Sequence, residues 1–441
     1  MAESLRVSVI GVGYLGTTHA VGMAELGHEV VALDVDADKV AQLSAGVVPF
    51  FEPGLPEVLT RALASGRLRF TTSYADVAAN ADIHFVCVGT PQLSGSNAAD
   101  MRYVEAAMQS LAAELNTPCL VVGKSTVPAG SATRLAAVVA QAAPVGAGAD
   151  LAWNPEFLRE GHALQDTIQP DRLVFGVTTD SAERTLRTVY GSVIDAGCPV
   201  VVTDLATAEM VKVAANSFLA TKISFINAMA EICEVTGADV ATLAVALGHD
   251  DRIGPRFLHA GLGFGGGCLP KDIRGFMARA EELGVEPAVS FLREVDAINL
   301  RRRTRMVDLA VEELDGELNG KRIGVWGAAF KPESDDIRDS PALDVARTLK
   351  SRGADVAVYD PQALDNARKK YPELDYCPSA IDAAREADLI LHLTEWAEFQ
   401  TLDPVRLDGV TRGKRILDGR GALDPARWRA AGWSYRALGR P

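Results

Sequence analysis

Short apolar blocks alternate with longer amphipathic stretches along most of this chain. Such alternation is typical of a parallel sheet whose strands are buried on both faces and connected by helices. Near the N-terminus the apolar blocks predict strands at 5–10, 29–33, 83–88 and 119–122. From residue 321 a second set predicts strands at 322–326, 355–360 and 389–393. Between the two sets, residues 204–237 are rich in alanine and contain no proline, which predicts the longest helix.

The pattern predicts an α/β fold with two Rossmann-like, doubly wound domains joined by a long central helix. A chain of 441 residues is too long for one hydrophobic core. We therefore expect an N-terminal dinucleotide-binding domain at 1–200, a central helical domain at 201–300 and a C-terminal Rossmann-like domain at 301–441.

Composition and charge exclude several classes of protein. No apolar run approaches the roughly 20 residues that span a bilayer, so no membrane segment is expected. The net charge of −14 argues against nucleic acid as a partner. The six cysteines are scattered and include no Cys-x-x-Cys pair. This spacing argues against a metal site and a disulfide framework, and it favours a cytoplasmic location.

A dinucleotide fingerprint follows the first predicted strand. Residues 11–16 read Gly-Val-Gly-Tyr-Leu-Gly and open a predicted helix, whose N-terminus can face a pyrophosphate. Asp34 ends the second predicted strand, where a carboxylate accepts the ribose hydroxyls of NAD. Lys39 lies five residues further on. The segment therefore predicts an NAD site.

One cysteine, Cys268, ends a glycine-rich loop and precedes Lys271 and Asp272. A thiolate in such a loop can attack a carbonyl carbon. If the segment that follows is helical, Cys268 and Asp272 lie one turn apart on the same face. The alternative interpretation is a buried cysteine beside a structural loop.

Lys212 and Asn216 are four residues apart on the predicted long helix and so share a face. They could stabilise an oxyanion. The alternative is a surface lysine above a helix-facing amide, but apolar neighbours such as Val211 and Val213 favour a half-buried pair.

Further motifs accompany these features in a fixed order. They are E-P-G-L at 52–55, K-S-T-V-P at 124–128, N-P-E-F-L-R-E-G at 154–161, K-V-A-A-N at 212–216, F-G-G-G-C-L-P-K-D at 264–272, F-K-P-E-S-D-D-I-R at 330–338 and D-G-R at 418–420. On these motifs the chain resembles the UDP-glucose/GDP-mannose dehydrogenases over essentially its whole length, and within them the UDP-glucose 6-dehydrogenase branch.

The resemblance implies the oxidation of a nucleotide sugar at C6, from primary alcohol to carboxylate, with two NAD. It implies that Cys268 captures the intermediate aldehyde as a thiohemiacetal, which is oxidised to a thioester. Lys212 and Asn216 would stabilise the oxyanion, Asp272 and Thr126 would organise water, and Glu156 would act in thioester hydrolysis. These five residues and Cys268 are the predicted catalytic set.

The resemblance also implies the ligand contacts. Those to NAD would come from Gly11, Gly13, Tyr14, Leu15, Gly16, Asp34, Lys39, Thr90, Thr126, Glu160, Lys271 and Arg338. Those to the substrate would come from Glu156, Phe157, Leu158, Lys212, Asn216, Arg252, Phe257, Gly265, Lys331 and Arg420. In the family the arginine matched by Arg252 often comes from a neighbouring subunit, so a homodimer or larger homo-oligomer is expected. The C-terminal domain would bind the UDP-sugar, and UDP-glucose is the favoured substrate.

Three alternative functions stay open. The first is the same chemistry on GDP-mannose or a UDP-N-acetylhexosamine. The second is a two-electron β-hydroxyacid dehydrogenase, which would need neither Cys268 nor a second Rossmann-like domain. The third is a non-catalytic protein that senses sugar nucleotides.

Overall fold

A computed structural model describes residues 4–440, and its elements fall into two units. The first unit holds residues 4–215 together with 278–284, and the second holds 216–277 and 285–440.

The first unit is built on an eight-stranded sheet. Its strands are β1 (Arg6–Ile10), β2 (Glu29–Leu33), β3 (Leu68–Thr71), β4 (Ile83–Val86), β5 (Cys119–Gly123), β6 (Ala149–Trp153), β7 (Leu173–Gly176) and β8 (Val200–Thr203). They lie in the order β3-β2-β1-β4-β5-β6-β7-β8, and only the β6–β7 pairing is antiparallel within this sheet. The strand order reverses between β1 and β4, and α/β folds bind ligands outside the carboxyl ends of the strands at such a point.

Nine helices connect and cover these strands. They are α1 (Tyr14–Glu25), α2 (Ala37–Ser44), α3 (Leu55–Ala64), α4 (Tyr74–Asn80), α5 (Arg102–Ala112), α6 (Ser131–Ala142), α7 (Ala163–Ile168), α8 (Asp180–Val189) and α9 (Gly191–Asp195). Side chains of β1 show that the sheet is buried on both faces, since Val7 and Val9 pack in one apolar cluster and Ile10 packs in another.

The longest helix is α10 (Leu205–Thr236), close to the predicted 204–237. It begins in the first unit and continues into the second, with the division after Ala215. The prediction of a long central helix is therefore confirmed.

The second unit adds three further helices and a second sheet. The helices are α11 (Val240–Gly248), α12 (Leu269–Glu282) and α13 (Phe291–Glu313), and the last residues of α12 belong to the first unit. The strands are β9 (Arg322–Trp326), β10 (Asp355–Tyr359), β11 (Asp375–Tyr376), β12 (Leu389–His392), β13 (Arg415–Asp418) and β14 (Ser434–Ala437). All pair in parallel in the order β11-β10-β9-β12-β13-β14.

Five shorter helices flank this sheet: α14 (Pro341–Ser351), α15 (Leu364–Lys370), α16 (Ala380–Ala384), α17 (Ala397–Thr401) and α18 (Pro425–Ala430). Its core includes stacked aromatic rings, with the ring centres of Trp326 and Phe399 5.6 Å apart.

The predicted α/β class with two Rossmann-like sheets is confirmed, although four strands are one or two residues shorter than expected. The prediction for 83–88 was wrong at its end, because β4 stops at Val86. Val88 leaves the ladder to lie against Gly11, where a Cβ atom would come within 2.9 Å of Val88 Cγ2. The division into three domains stays a prediction. Across residues 4–440, every helix is too short or too polar to span a bilayer.

Candidate active site

The loop between β1 and α1 has the geometry of a phosphate cradle. Gly11 takes a φ of +88°, and a Cβ on Gly16 would lie 1.7 Å from the Gly11 carbonyl oxygen, so both positions need glycine. A Cβ on Gly13 would meet nothing within 4 Å. Helix α1 begins at Tyr14 with no side-chain cap and no acidic residue in its first turn. The loop therefore leaves room for an anion at a helix N-terminus.

Asp34 lies at the end of β2, where the fingerprint requires it. Its carboxylate accepts hydrogen bonds from the backbone N–H of Val12 at 2.9 Å and of Asp36 at 3.1 Å. Lys39 donates to the same carboxylate at 3.1 Å. The acid is therefore held in place beside the loop, and Lys39 adds a positive charge next to it.

The second unit also has an acidic residue at the equivalent strand end, but its carboxylate has different hydrogen-bond partners. Asp360 follows β10 and is only 1% exposed. Its carboxylate accepts hydrogen bonds from five donors, namely the indole N–H of Trp396 and the backbone N–H groups of Ala328, Ala329, Gln362 and Ala363. The residues of the first unit thus fit a dinucleotide, whereas the acid of the second unit is occupied by its own loops.

The loops that follow β4 and β5 meet at one edge of the first sheet. The Thr90 hydroxyl donates to the Thr126 carbonyl oxygen at 2.6 Å. The Ser125 hydroxyl donates to the Val88 carbonyl oxygen at 2.5 Å. Two of the predicted cofactor residues, Thr90 and Thr126, are therefore brought together.

Glu156 and Lys212 form a shielded ion pair in the first unit. Lys212 Nζ lies 3.0 Å from Glu156 Oε1, and the two side chains are 6% and 13% exposed. The Leu158 N–H donates to Glu156 Oε2 at 2.6 Å. The Phe157 ring lies between two cations, 5.7 Å from Lys212 Nζ and 3.7 Å from the Arg172 guanidinium carbon. Lys212 is buried, so the interpretation of a solvated surface lysine was wrong.

Sequence reasoning assigned no role to Glu52, which the structure places at the centre of a buried network. This glutamate is 2% exposed and accepts from the N–H groups of Gly161 at 2.7 Å and Ala163 at 2.6 Å. The Tyr14 hydroxyl also donates to it. Burial and this hydrogen bond raise the pKa of Tyr14 far above its usual range. Glu52 thus links the dinucleotide loop to the segment that carries Glu160.

Lys124 is a second buried residue that sequence reasoning missed. Its ammonium donates to Asn154 Oδ1 at 2.9 Å and lies 3.4 Å from the Tyr190 hydroxyl. Burial lowers the pKa of Lys124 from 10.5 to about 8. Because Asn154 immediately precedes Pro155 and Glu156, Lys124 supports the loop that presents Glu156.

In the second unit, Cys268 stands directly before α12 and is exposed. The Asp272 N–H donates to the Cys268 carbonyl oxygen at 2.9 Å, so the predicted helical turn between them is confirmed. Asp272 is 4% exposed, and its carboxylate accepts from Asn216 Nδ2 and from Lys271 Nζ, both at 2.6 Å. Three predicted site residues therefore form one hydrogen-bonded cluster one turn from the thiol, in which Asp272 and Asn216 are buried and Lys271 is partly exposed.

The glycines before Cys268 allow close packing. A Cβ on Gly265 would lie 2.3 Å from the Asp339 carbonyl oxygen. A Cβ on Gly267 would lie 2.3 Å from the guanidinium carbon of Arg338, which pairs with Asp336. The structure thus places Arg338 in the second unit, against the nucleophile loop. Lys331 lies near it along the chain and places its ammonium 5.5 Å from the Phe330 ring centre.

Arg420 is a structural anchor in these contacts. Its guanidinium donates to the carbonyl oxygens of Leu393, Gly263 and Phe330 at 2.8–3.0 Å. Its side chain is 11% exposed, so Arg420 is not a solvated surface cation.

The contacts do not bring Arg252 and Phe257 to the Cys268 cluster. Arg252 is 89% exposed and pairs with Asp250 at 2.7 Å. Phe257 adopts a φ of +65°, an uncommon conformation for a residue with a side chain. Within residues 4–440, no group of three or more His, Cys, Asp or Glu is arranged to hold a metal ion.

Models of one enzyme family match three consecutive parts of the chain. In the UDP-glucose/GDP-mannose dehydrogenase family, the NAD binding domain matches residues 5–194, the central domain 206–301 and the UDP binding domain 324–425. The chain belongs to the UDP-glucose/GDP-mannose dehydrogenase family. The resemblance predicted from the motifs is therefore confirmed.

Individual members of the family are similar over their full length. UDP-glucose 6-dehydrogenase of Rickettsia conorii is 40% identical over 99% of both chains. The structure of a UDP-glucose dehydrogenase from Pyrobaculum islandicum has a TM-score of 0.91 and 40% identity, covering 100% of this chain and 99% of that one. The structure of a UDP-D-ManNAc dehydrogenase from Pyrococcus horikoshii has a TM-score of 0.85 and 26% identity, over 99% of both.

Proposed function

We propose that this protein oxidises UDP-glucose at C6 to UDP-glucuronate, with NAD as the hydride acceptor. The observation that carries the proposal is the exposed residue Cys268, one turn before the hydrogen-bonded Asp272–Asn216–Lys271 cluster. A two-electron alcohol dehydrogenase needs no nucleophile at such a place. The chain also carries a complete dinucleotide loop, and its relatives at 40% identity are UDP-glucose dehydrogenases.

The residues that would hold NAD lie in the first unit. Gly11, Gly13 and the first turn of α1 would take the pyrophosphate, and Asp34 would take the adenosine ribose. Bound NAD supplies a hydride acceptor, needed once at the alcohol and once at the thiohemiacetal. The Lys39–Asp34 ion pair would orient the carboxylate toward the hydroxyls.

Three side chains would act on the sugar: those of Cys268, Lys212 and Asn216. The C6 alcohol loses a hydride and a proton to become an aldehyde. The Cys268 thiolate then adds to the aldehyde carbon, so that a C–S bond forms and the carbonyl oxygen becomes an alkoxide. Lys212 and Asn216, one turn apart on α10, supply an ammonium and an amide N–H that favour this negative charge.

Hydrolysis completes the reaction. Loss of a second hydride converts the thiohemiacetal into a thioester, and water attacks its carbonyl carbon. The C–S bond then breaks, which releases the carboxylate and returns the thiol. Glu156 and Asp272 are the carboxylates that can accept the proton of the water, and their contacts with Lys212 and Lys271 hold them in place.

We assign the substrate from the relatives, and all the candidate substrates would undergo the same type of oxidation. Identity is 40% to UDP-glucose dehydrogenases and 26% to the UDP-D-ManNAc dehydrogenase. UDP-glucose is therefore the substrate we propose, and a UDP-N-acetylhexosamine is the second candidate. GDP-mannose, the other alternative named above, has only the family's shared chemistry in its favour. A cytoplasmic location stays a prediction from the cysteine pattern.

The exposed face of α10 supports a homodimer. Phe218, Phe225 and Ile232 recur every seven residues and are 67%, 48% and 52% exposed, and Val235 is 85% exposed. An apolar stripe of this length on one helix face is costly in water and is typical of a subunit interface. The second copy of the chain is the partner we propose.

A trapped thioester would test the proposal. The tryptic peptide 257–271 contains Cys268 as its only cysteine. In Glu156→Gln with NAD and UDP-glucose, we expect that peptide to gain the mass of the glucuronyl nucleotide. Cys268→Ser should lose turnover while still binding NAD, and Cys377→Ser should keep turnover. Turnover by Cys268→Ser with an unchanged yield of NADH would contradict the covalent mechanism.

A further inference from the structure

The segment that leads to Cys268 is buried although it forms neither helix nor strand. Residues 261–266 are all buried, and regular structure resumes only at Leu269 with α12. Buried backbone groups outside helices and sheets need hydrogen-bond partners from elsewhere. The partners of this segment therefore determine where the thiol is held.

Side chains from several elements hold the backbone on either side of Phe264. The Gly261 N–H donates to Asn227 Oδ1 at 2.8 Å, and Arg302 Nε donates to the Gly261 carbonyl oxygen at 3.3 Å. Arg420 donates to the Gly263 carbonyl oxygen at 3.0 Å. These contacts fix the path of the segment up to the residue before Phe264.

Asn299 of α13 forms hydrogen bonds with both backbone polar groups of Phe264. The Phe264 N–H donates to Asn299 Oδ1 at 2.7 Å, and Asn299 Nδ2 donates to the Phe264 carbonyl oxygen at 3.0 Å. Asn299 is fully buried. Gly263 makes this approach possible, because a Cβ there would lie 2.3 Å from Asn299 Oδ1. The Asn299 amide thus makes the two hydrogen bonds with Phe264 that the backbone of a neighbouring β-strand would make.

Asn299 belongs to a buried polar stripe on α13. Arg302 and Arg303 follow it at three and four residues and are 0% and 6% exposed. Arg303 donates to Asp339 at 2.8 Å and lies 3.4 Å from the Phe264 carbonyl oxygen. Burying three large polar side chains on one helix face is costly unless their hydrogen bonds compensate for the lost contact with water. Their contacts with the segment before Cys268 are therefore expected to have a role beyond packing.

We propose that Asn299 is a positioning residue that fixes Phe264 and thereby the Cys268 thiol four residues later. The inference rests on the proposed function, since a thiol must meet the aldehyde carbon before that aldehyde escapes. An amide side chain carries a donor and an acceptor side by side, which matches the carbonyl and N–H of one backbone residue. A carboxylate would face the Phe264 carbonyl oxygen with a second acceptor.

The consequence is a specific failure of the second half of the reaction. Displacing a reacting group by about 1 Å can slow a step roughly 100-fold. In an Asn299 variant, hydride loss from the alcohol does not need the thiol, whereas capture of the aldehyde does. The aldehyde should therefore leave, and the NADH formed per UDP-glucose consumed should fall below two.

The test compares Asn299→Ala and Asn299→Asp with the wild type and with Leu349→Ala. Leu349 is a buried core residue of α14 that makes none of the contacts described above. We expect both Asn299 variants to give a ratio between one and two and an aldehyde that semicarbazide traps. The KM for NAD should stay unchanged, while kcat for the complete reaction falls by roughly 100-fold. Leu349→Ala should keep a ratio of two, because lost stability alone does not alter stoichiometry.

A readout without substrate separates this inference from the proposed function. Alkylation of Cys268 by iodoacetamide, followed in peptide 257–271, should be faster in the Asn299 variants than in Leu349→Ala. Alkylation at the wild-type rate, or a ratio of two in a folded Asn299→Ala, would overturn the inference. If Asn299→Ala does not fold, Asn299→Asp decides by the same two measurements. A wild-type ratio of one would refute the proposed function, and the alkylation rates would still decide the role of Asn299.

Discussion

Glu52 offers the clearest test of how the first unit is held together. One oxygen of its carboxylate accepts from Gly161 and Tyr14, and the other accepts from Ala163. Glu52→Gln keeps the shape but replaces one of these oxygens by an NH2 group that faces donors. A hydrogen bond to a charged group contributes about 1.5–3 kcal/mol, and a buried donor left without an acceptor costs about 1–3 kcal/mol. We therefore expect the substitution to cost about 3 kcal/mol locally.

Amide hydrogen exchange measures this cost at the amides concerned. A loss of about 3 kcal/mol corresponds to a roughly hundredfold fall in protection. We expect this fall at the N–H groups of Gly161 and Ala163 in Glu52→Gln. Glu57→Gln is the matched control, since Glu57 is exposed on α3 and its substitution should change protection by less than threefold.

The same variant should also affect the cofactor. Tyr14 opens α1 directly after the glycine loop, so losing its acceptor should raise the KM for NAD. Unchanged protection at Gly161 and Ala163 in Glu52→Gln would refute the network as the source of the loop's stability.

Three further predictions concern other parts of the chain. The pKa of Lys124 is about 8 in the folded protein, below its ordinary value of 10.5. Between these two pH values the lysine is protonated in the unfolded chain and largely neutral in the folded protein. The free energy of unfolding should therefore rise with pH across that window. Between pH 7.5 and pH 10, Lys124→Met should remove about 2 kcal/mol of that rise, measured by urea unfolding at the two pH values. Gly265→Ala should lower the free energy of unfolding by about 1–3 kcal/mol and lower kcat, because the added Cβ would meet the Asp339 backbone. Gly191→Ala is the control, since its Cβ would enter open space. It should match the wild type in both unfolding and initial-rate assays. Phe225→Glu should shift the mass in light scattering from dimer to monomer, and a mass that stays at the dimer would contradict the α10 interface.

Local patterns predicted the elements because each is encoded within a few residues. The fingerprint at 11–16 and the long helix at 204–237 depend on neighbours in sequence, and both lie in the structure close to where the pattern predicted them. The prediction for the end of β4 was wrong, and Val88 beyond it lies against Gly11, which is far away in the sequence.

Residues that act across long separations could not be found in this way. Asn299 contacts Phe264 from 35 residues away, and Glu52 contacts Gly161 from 109 residues away. No period or spacing links such pairs. Asp34 and Asp360 are a further example, because each follows the second strand of its Rossmann-like sheet. They differ in the backbone N–H groups that surrounding loops donate to their carboxylates.

Counting NADH against sugar nucleotide tests the account most directly. UDP-glucose, GDP-mannose and UDP-N-acetylglucosamine would be supplied separately with excess NAD, and both NADH and the remaining substrate would be measured at completion. We predict two NADH for each UDP-glucose consumed and no NADH from the other two. One NADH per UDP-glucose would contradict the thioester route through Cys268, and no NADH from any of the three would contradict the proposed enzyme.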